Sequence, residues 1–247
     1  MEPGMKVPAA ILCICLFSAH PAQADIVYAN DFDGNTQFGS GTTVAISGGT
    51  GTAGGVTGGI TSTQGFNAFT GFGGDFWRVT APDDVLEFAI SNLPAHDQVS
   101  VSFSLGLLDS WDGTSDMFGT YIIYVAIFDG ANLIAGFSEA YSSGNAPSSN
   151  VESIIVQNQQ LGFNNNDPFW NEDGYRIAFN DIAHTSGNLT LRLWASSGGI
   201  GSGFQGGNDE SFAIDELLIT ATPEPTSLSY LLIAAVATAT RRRRRSM

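Results

Sequence analysis

Acidic side chains are the main chemical resource of this chain: 24 Asp and Glu stand against nine Lys and Arg and three His. Asp31 and Asp33 lie early and Asp215 lies late in the long middle of the sequence. Acidity on this scale serves solubility in an extracellular setting or divalent-cation binding that offsets self-repulsion. Asp31 and Asp33 also suit turns, and Asp215 can accept backbone hydrogen bonds. Two tryptophans sit in polar runs, Trp111 in Asp109-Ser110-Trp111-Asp112-Gly113 and Trp170 in Asn166-Asp167-Pro168-Phe169-Trp170-Asn171. An indole placed this way can stack on a sugar face while its neighbours bond the hydroxyls, or it can cap the end of a core. Trp77 and Trp194 fall in strand-like segments and read as packing residues.

Recognisable catalytic chemistry is scarce. His96 and His184 sit beside turn-forming residues and are expected to be surface-loop histidines rather than a triad base. Neither a Gly-x-Ser-x-Gly elbow nor a His-Glu-x-x-His motif occurs. Cys13 and Cys15, the only cysteines, fall in the apolar run near the N-terminus, so the rest of the chain offers no thiolate for catalysis or zinc.

The ends read as addresses. Lys6 precedes an uncharged, mostly apolar run over 7–19, and Ala22-Gln23-Ala24 supplies small residues where a signal peptidase cuts. Residues 1–24 are therefore expected to be a signal peptide, with Asp25 first in the mature chain. An ectodomain over 25–222 excludes Glu2 and Glu224, which leaves 22 acids, and it excludes Lys6 and Arg241 to Arg245, which leaves only Arg78, Arg176 and Arg192. Its formal charge is thus about −19. Nucleic acid is excluded as a partner, because phosphate binding needs clustered cations.

Between the ends, apolar residues recur with the period of strands. Val99, Val101, Phe103 and Leu105 alternate with serines, and Leu189, Leu191 and Leu193 alternate with Thr190, Arg192 and Trp194. The run 121–128 is apolar almost throughout, as expected for a strand covered on both faces, and Asp129-Gly130 signals a hairpin into 133–137. Further strands are expected over 26–32, 76–80, 85–91, 151–156, 175–182 and 212–220, and no helical stripe competes with them. The Gly- and Thr-rich stretch 39–63 reads as weakly packed strands and loops, not as a phosphate loop, since no lysine follows it. These features predict an all-β, antiparallel two-sheet sandwich, a jelly roll, forming one domain.

The tail is the most specific signal. Pro223-Glu224-Pro225 is followed by an uncharged segment to Thr240 and then by Arg241 to Arg245. As a helix the segment 225–240 is about 24 Å long, short of a ~30 Å hydrocarbon core, but arginines can snorkel across the deficit and remain cytoplasmic. In order and spacing, 223–247 resembles the PEP-CTERM sorting signal of Gram-negative bacteria. The resemblance implies an exported protein held transiently in the inner membrane by a short transmembrane helix. An exosortase then processes it for the cell surface or extracellular space, commonly in connection with exopolysaccharide. The segment Asp209-Glu210-Ser211-Phe212-Ala213-Ile214-Asp215 is similar to the last strand of carbohydrate-binding-module and laminin-G-like jelly rolls. That resemblance implies a structural calcium near Asp31, Asp33 and Asp215. Laminarinase-like enzymes alternate Glu, Asp and Glu on one strand, and Glu210, Asp215 and Glu216 do not follow that spacing, while Glu172-Asp173 sits in a Gly/Asn-rich segment. The expectation is a non-catalytic exopolysaccharide-associated protein. A calcium-dependent adhesive protein and an extracellular glycosidase are the alternatives.

Overall fold

The computed structural model describes residues 23–111, 114–115, 119–141, 144–145, 149–163, 171–197 and 204–223. Residues 1–22 of the signal segment, Trp170, and the tail from Glu224 onward lie outside the described residues. Sixteen strands run in chain order: β1 (Asp25–Asn30), β2 (Thr36–Phe38), β3 (Thr43–Ser47), β4 (Thr52–Ala53), β5 (Val56–Thr57), β6 (Gly59–Ser62), β7 (Asp75–Val79) and β8 (Leu86–Ser91). They continue as β9 (Gln98–Asp109), β10 (Thr114–Ser115), β11 (Gly119–Asp129), β12 (Asn132–Ala140), β13 (Val151–Gln159), β14 (Glu172–Ala183), β15 (Asn188–Ser197) and β16 (Glu210–Thr222). Among the described residues one short 3-10 turn, Gln64–Ala68, is the only helical element.

Two antiparallel sheets form the sandwich. The first has the order β13-β14-β9-β16-β1-β2 with β7 and β6 added beside β16, and the second has β11, β15, β8 and β3 in order with β12 and β10 on β11. Alternation explains the layers. Val99, Val101, Phe103, Leu105 and Leu107 of β9 face Leu189, Leu191 and Leu193 of β15 across one core, together with Ile123, Val125 and Ile127 of β11. In β16 the inward parity changes from Phe212 and Ile214 to Leu217, Ile219 and Ala221. A bulge between Asp215 and Leu218, with Glu216 at φ +47, makes that switch.

The first sheet is also covered on its outer side. Phe66, Phe72, Phe76, Leu108, Val156 and Phe163 form a second apolar cluster there, built by the segment around the 3-10 turn and the end of β13. Arg78 is buried at its margin, where it donates to Ser211 Oγ at 2.8 Å and to the Gly207 carbonyl at 2.9 Å, and lies 3.4 Å from Asp109 and over the Phe163 ring. Burial lowers the Arg78 pKa against the pull of Asp109 and Glu172. Burial likewise pushes the Asp109 carboxyl up, and Arg78 only partly offsets this. Among the described residues no helix is long and apolar enough to cross a membrane.

Candidate functional site

The outer side of the second sheet is dressed differently, and its floor follows from register. Tyr124 of β11 stands opposite Trp194 of β15; one step along, Ala126, Arg192, Glu87 and Ser47 form a row across β11, β15, β8 and β3. The next row is Phe128, Thr190, Ala89 and Ala45. A groove of about 430 Å³ on this face is lined by Trp194, Phe128, Arg192, Glu87 and Val85 together with the small residues Ser47 and Gly48. Gly136 of β12 completes the Ala126 row with φ +154, and a Cβ there would lie 2.4 Å from the Val125 carbonyl oxygen, so the strand passes closely only because it lacks a side chain.

Two contacts fix the side chains of this face. The Tyr124 and Trp194 rings are parallel within 1° with centroids 4.7 Å apart, a cross-strand stack that holds both rings upright on the sheet. Arg192 donates from Nε to Glu87 Oε2 at 2.6 Å, while its guanidinium lies 5.2 Å from the Phe128 ring centre. The result is an apolar ring surface beside a planar donor and acceptor pair whose charges cancel. Pyranose rings carry C–H-lined faces and rims of hydroxyls, and they match such a surface.

The residues singled out by sequence fall elsewhere. Trp111 is not a stacking platform: it is 1% exposed, packs against Tyr141 and Phe204, and donates from Nε1 to the Ser211 carbonyl at 3.0 Å. The hydrogen-bond requirement of a buried indole is met inside the core, and this corrects the assignment. Trp170, Glu224 and Pro225 lie outside the described residues, and Pro223 is the last one described.

Asp33 and Asp215 do converge, but on backbone rather than in a ligand cage. Asp33 accepts from the Gly74 and Asp75 N–H groups at 2.7 and 2.5 Å, and Asp215 accepts from Gly73 at 2.7 Å and Glu216 at 2.6 Å. Asp31 accepts from Asp33 and Asn35 and shapes its own turn. Slight burial tends to raise the Asp31 pKa, but the Asn35 and Asp33 donors outweigh it and hold the carboxyl below its ordinary value. Burial pushes Asp215 up to about 7 against its two backbone donors, with the Glu216 and Asp33 charges adding to the rise. Among the described residues no group of three or more His, Asp or Glu side chains is placed to hold a metal. The oxygens of Asp31, Asp33 and Asp215 thus take up N–H donors, the turn-shaping and backbone-accepting role that the sequence offers as the alternative to calcium.

The histidines are corrected too, since His96 and His184 are buried and in mutual contact. Sequence parity had placed Thr190, Arg192 and Trp194 opposite the leucines of β15, which was the available signal for the outer face. Tyr124 and Phe128 were hidden in a run that reads as covered on both sides.

No family model matches the chain, and no curated protein sequence matches it. Among solved structures, the carbohydrate-binding module TmCBM61 in complex with beta-1,4-galactotriose aligns at 13% identity over 72% of this chain and 88% of that one, with a TM-score of 0.35. CBM36 in complex with calcium and xylotriose aligns at 11% over 71% and 98%, with a TM-score of 0.32. The enzymatically active domain of bacteriophage CBA120 tailspike protein 4 aligns at 12% over 73% and 19%, with a TM-score of 0.31. At these scores the functional assignment rests on this chain's own geometry.

Proposed function

We propose that this chain is an exported, non-catalytic glycan-binding jelly roll that takes neutral polysaccharide on the outer face of its second sheet. The observation that carries this is the parallel Tyr124–Trp194 stack beside the Arg192–Glu87 pair, all on paired strands at the groove that Trp194, Arg192 and Glu87 line. Charge favours neutral over uronic or sulfated chains, because Arg192 is already paired and the ectodomain carries about −19. The signal segment 1–24 supports export. The tail 223–247, with its Pro223-Glu224-Pro225 motif, supports transient anchoring in the inner membrane and exosortase processing, after which the domain would join exopolysaccharide at the surface.

Affinity electrophoresis of the protein through neutral galactans, xylans and glucans, and through a polyuronate, tests the binding. Retention by at least one neutral polymer is expected, with Trp194→Ala weakening it about 30-fold, as for a central aromatic worth about 2 kcal/mol. Retention unchanged in Trp194→Ala would remove the face from consideration. Appearance of new reducing ends would assign a glycosidase instead.

A further inference from the structure

His96 and His184 are joined by a chain of contacts that counts its own protons. His96 Nδ1 lies 2.5 Å from the Pro94 carbonyl oxygen, His96 Nε2 lies 2.7 Å from His184 Nδ1, and His184 Nε2 lies 3.1 Å from the Asn188 carbonyl oxygen. Both outer contacts end on carbonyls, which only accept, so each requires an N–H from its ring. The inner contact requires one hydrogen between two nitrogens. Three contacts therefore need three hydrogens, whereas two neutral imidazoles carry two. The neutral pair leaves one contact with lone pairs facing each other. The doubly protonated pair, with four hydrogens, sets N–H against N–H across 2.7 Å. Only the singly protonated pair fills every contact.

We propose that His96 and His184 form a buried site for a single shared proton, which latches the end of the sandwich from which β16 leads toward Pro223. The two rings are 1% and 4% exposed, so solvent does not substitute for a missing hydrogen. The latch ties the bend between β8 and β9 to the turn between β14 and β15, where Leu93 N–H also donates to the Gly187 carbonyl and His184 N–H to the Asp97 carbonyl. Asp97 N–H in turn donates to the Thr222 carbonyl, so the bend held by the proton also holds the last residue of β16.

Charged groups around the pair fit a single positive charge. Asp129, at the end of β11, places Oδ1 4.0 Å from His184 Nε2. Asp97, next to His96, has a buried Oδ1 with no hydrogen-bond partner among the described residues. Thr222 of β16 contributes only its carbonyl to this junction. Burial and then, after the Asn188 carbonyl's opposing pull, the facing His96 charge lower the His184 pKa, while Asp129 raises it. These influences disfavour the doubly protonated state. Removing the shared proton leaves one of the three contacts without a hydrogen, and adding a second sets N–H against N–H, so the latch is tightest while the pair carries one proton and loosens as pH moves away on either side.

Histidine-ring 15N NMR of the full chain across pH 4 to ~9.5 tests this directly. The expected result is three protonated ring nitrogens shared over the two residues at intermediate pH, one far-downfield N–H, and coupled titration of both rings. Amide exchange at Asp97 and His184 should accelerate about tenfold above the upper step, as for loss of one hydrogen bond. In His184→Asn the remaining ring should titrate alone and that pH-dependent acceleration should disappear. Passage from two protonated nitrogens directly to four with no interval of three, or two rings titrating independently near ~6.5, would overturn the shared proton even if the variant failed to fold.

Discussion

Glu172 offers a quantitative test of how burial governs this acidic chain. Its side chain is fully buried, Oε2 accepts the Leu161 N–H, and Oε1 has no hydrogen-bond partner among the described residues. Burial, the largest influence, pushes the carboxyl from its ordinary 4.5 up to about 7, against the backbone donors of Leu161 and Phe163. The native state therefore keeps a proton that the unfolded chain has released, and stability falls as pH rises from the unfolded value through the native one. Integrating between pH 5 and pH 8 gives a loss of about 2.5 kcal/mol from this group alone. Glu172→Gln removes the titration while the amide oxygen can still accept from Leu161. The free energy of the variant minus wild type should thus shift by about 2.5 kcal/mol in the variant's favour between the two pH values, whatever the fixed cost of burying the amide nitrogen. Urea unfolding at both pH values measures it, and melting temperatures should show a relative shift of about 5–10 °C for a domain of this size. Surface repulsion and the histidine pair are common to both proteins and cancel in the difference. An equal difference at pH 5 and pH 8 would refute the conclusion that Glu172 is held protonated by burial.

Other expectations concern single contacts. Arg78→Met removes the buried donors to Ser211 Oγ and the Gly207 carbonyl and should destabilise by about 2–3 kcal/mol in urea unfolding. Gly136→Ala forces a Cβ against the Val125 carbonyl at an unfavourable φ and should cost about 1–3 kcal/mol by the same assay, with a loss of polysaccharide retention if β12 shifts beside Ala126. Trp111→Phe should cost about 1 kcal/mol through the lost bond to Ser211 and leave retention unchanged in affinity electrophoresis. Calcium and magnesium should raise the melting temperature alike in wild type and Asp215→Asn, because the Asp215 oxygens hold Gly73 and Glu216; a calcium-specific rise lost in the variant would restore a metal site.

Strict alternation made β9 and β15 legible from sequence, because one face of each is packed against the other sheet and a one-residue slip would reverse it. The same rule failed for β11. Ile122, Tyr124, Ala126 and Phe128 are as apolar as their inward neighbours, so nothing in the run separates a covered face from one that is apolar for another reason. His96 and His184 were misplaced because Leu93-Pro94-Ala95 and Ser186-Gly187 signal turns, and turns are ordinarily exposed. Burial arose from a pairing between two distant turns, which local propensity does not encode. Asp33 and Asp215 were correctly associated, but whether converging carboxylates bind a cation or backbone N–H groups depends on the course of the Gly73–Gly74 segment, and that is set by tertiary contacts.

The location of the aromatic pair bears on why strands rather than loops carry the binding face. A stacking surface must hold its rings within tens of degrees to be useful, and a loop tryptophan loses that orientation unless it is buried, at which point it no longer meets a ligand. Trp111 is ordered by burial and by its bond to Ser211, which removes it from solvent. Trp194 is ordered by Tyr124 across a fixed strand register, which leaves it partly exposed. Arg192 gains the same combination from Glu87 and Phe128, so order and accessibility coincide on this face. Uncoupling them follows from one change: Tyr124→Ala keeps Trp194 present and more exposed but removes its neighbour. Retention should therefore fall in Tyr124→Ala although the indole is freer, whereas retention equal to or above wild type would mean that exposure alone, and not a fixed orientation, makes the site.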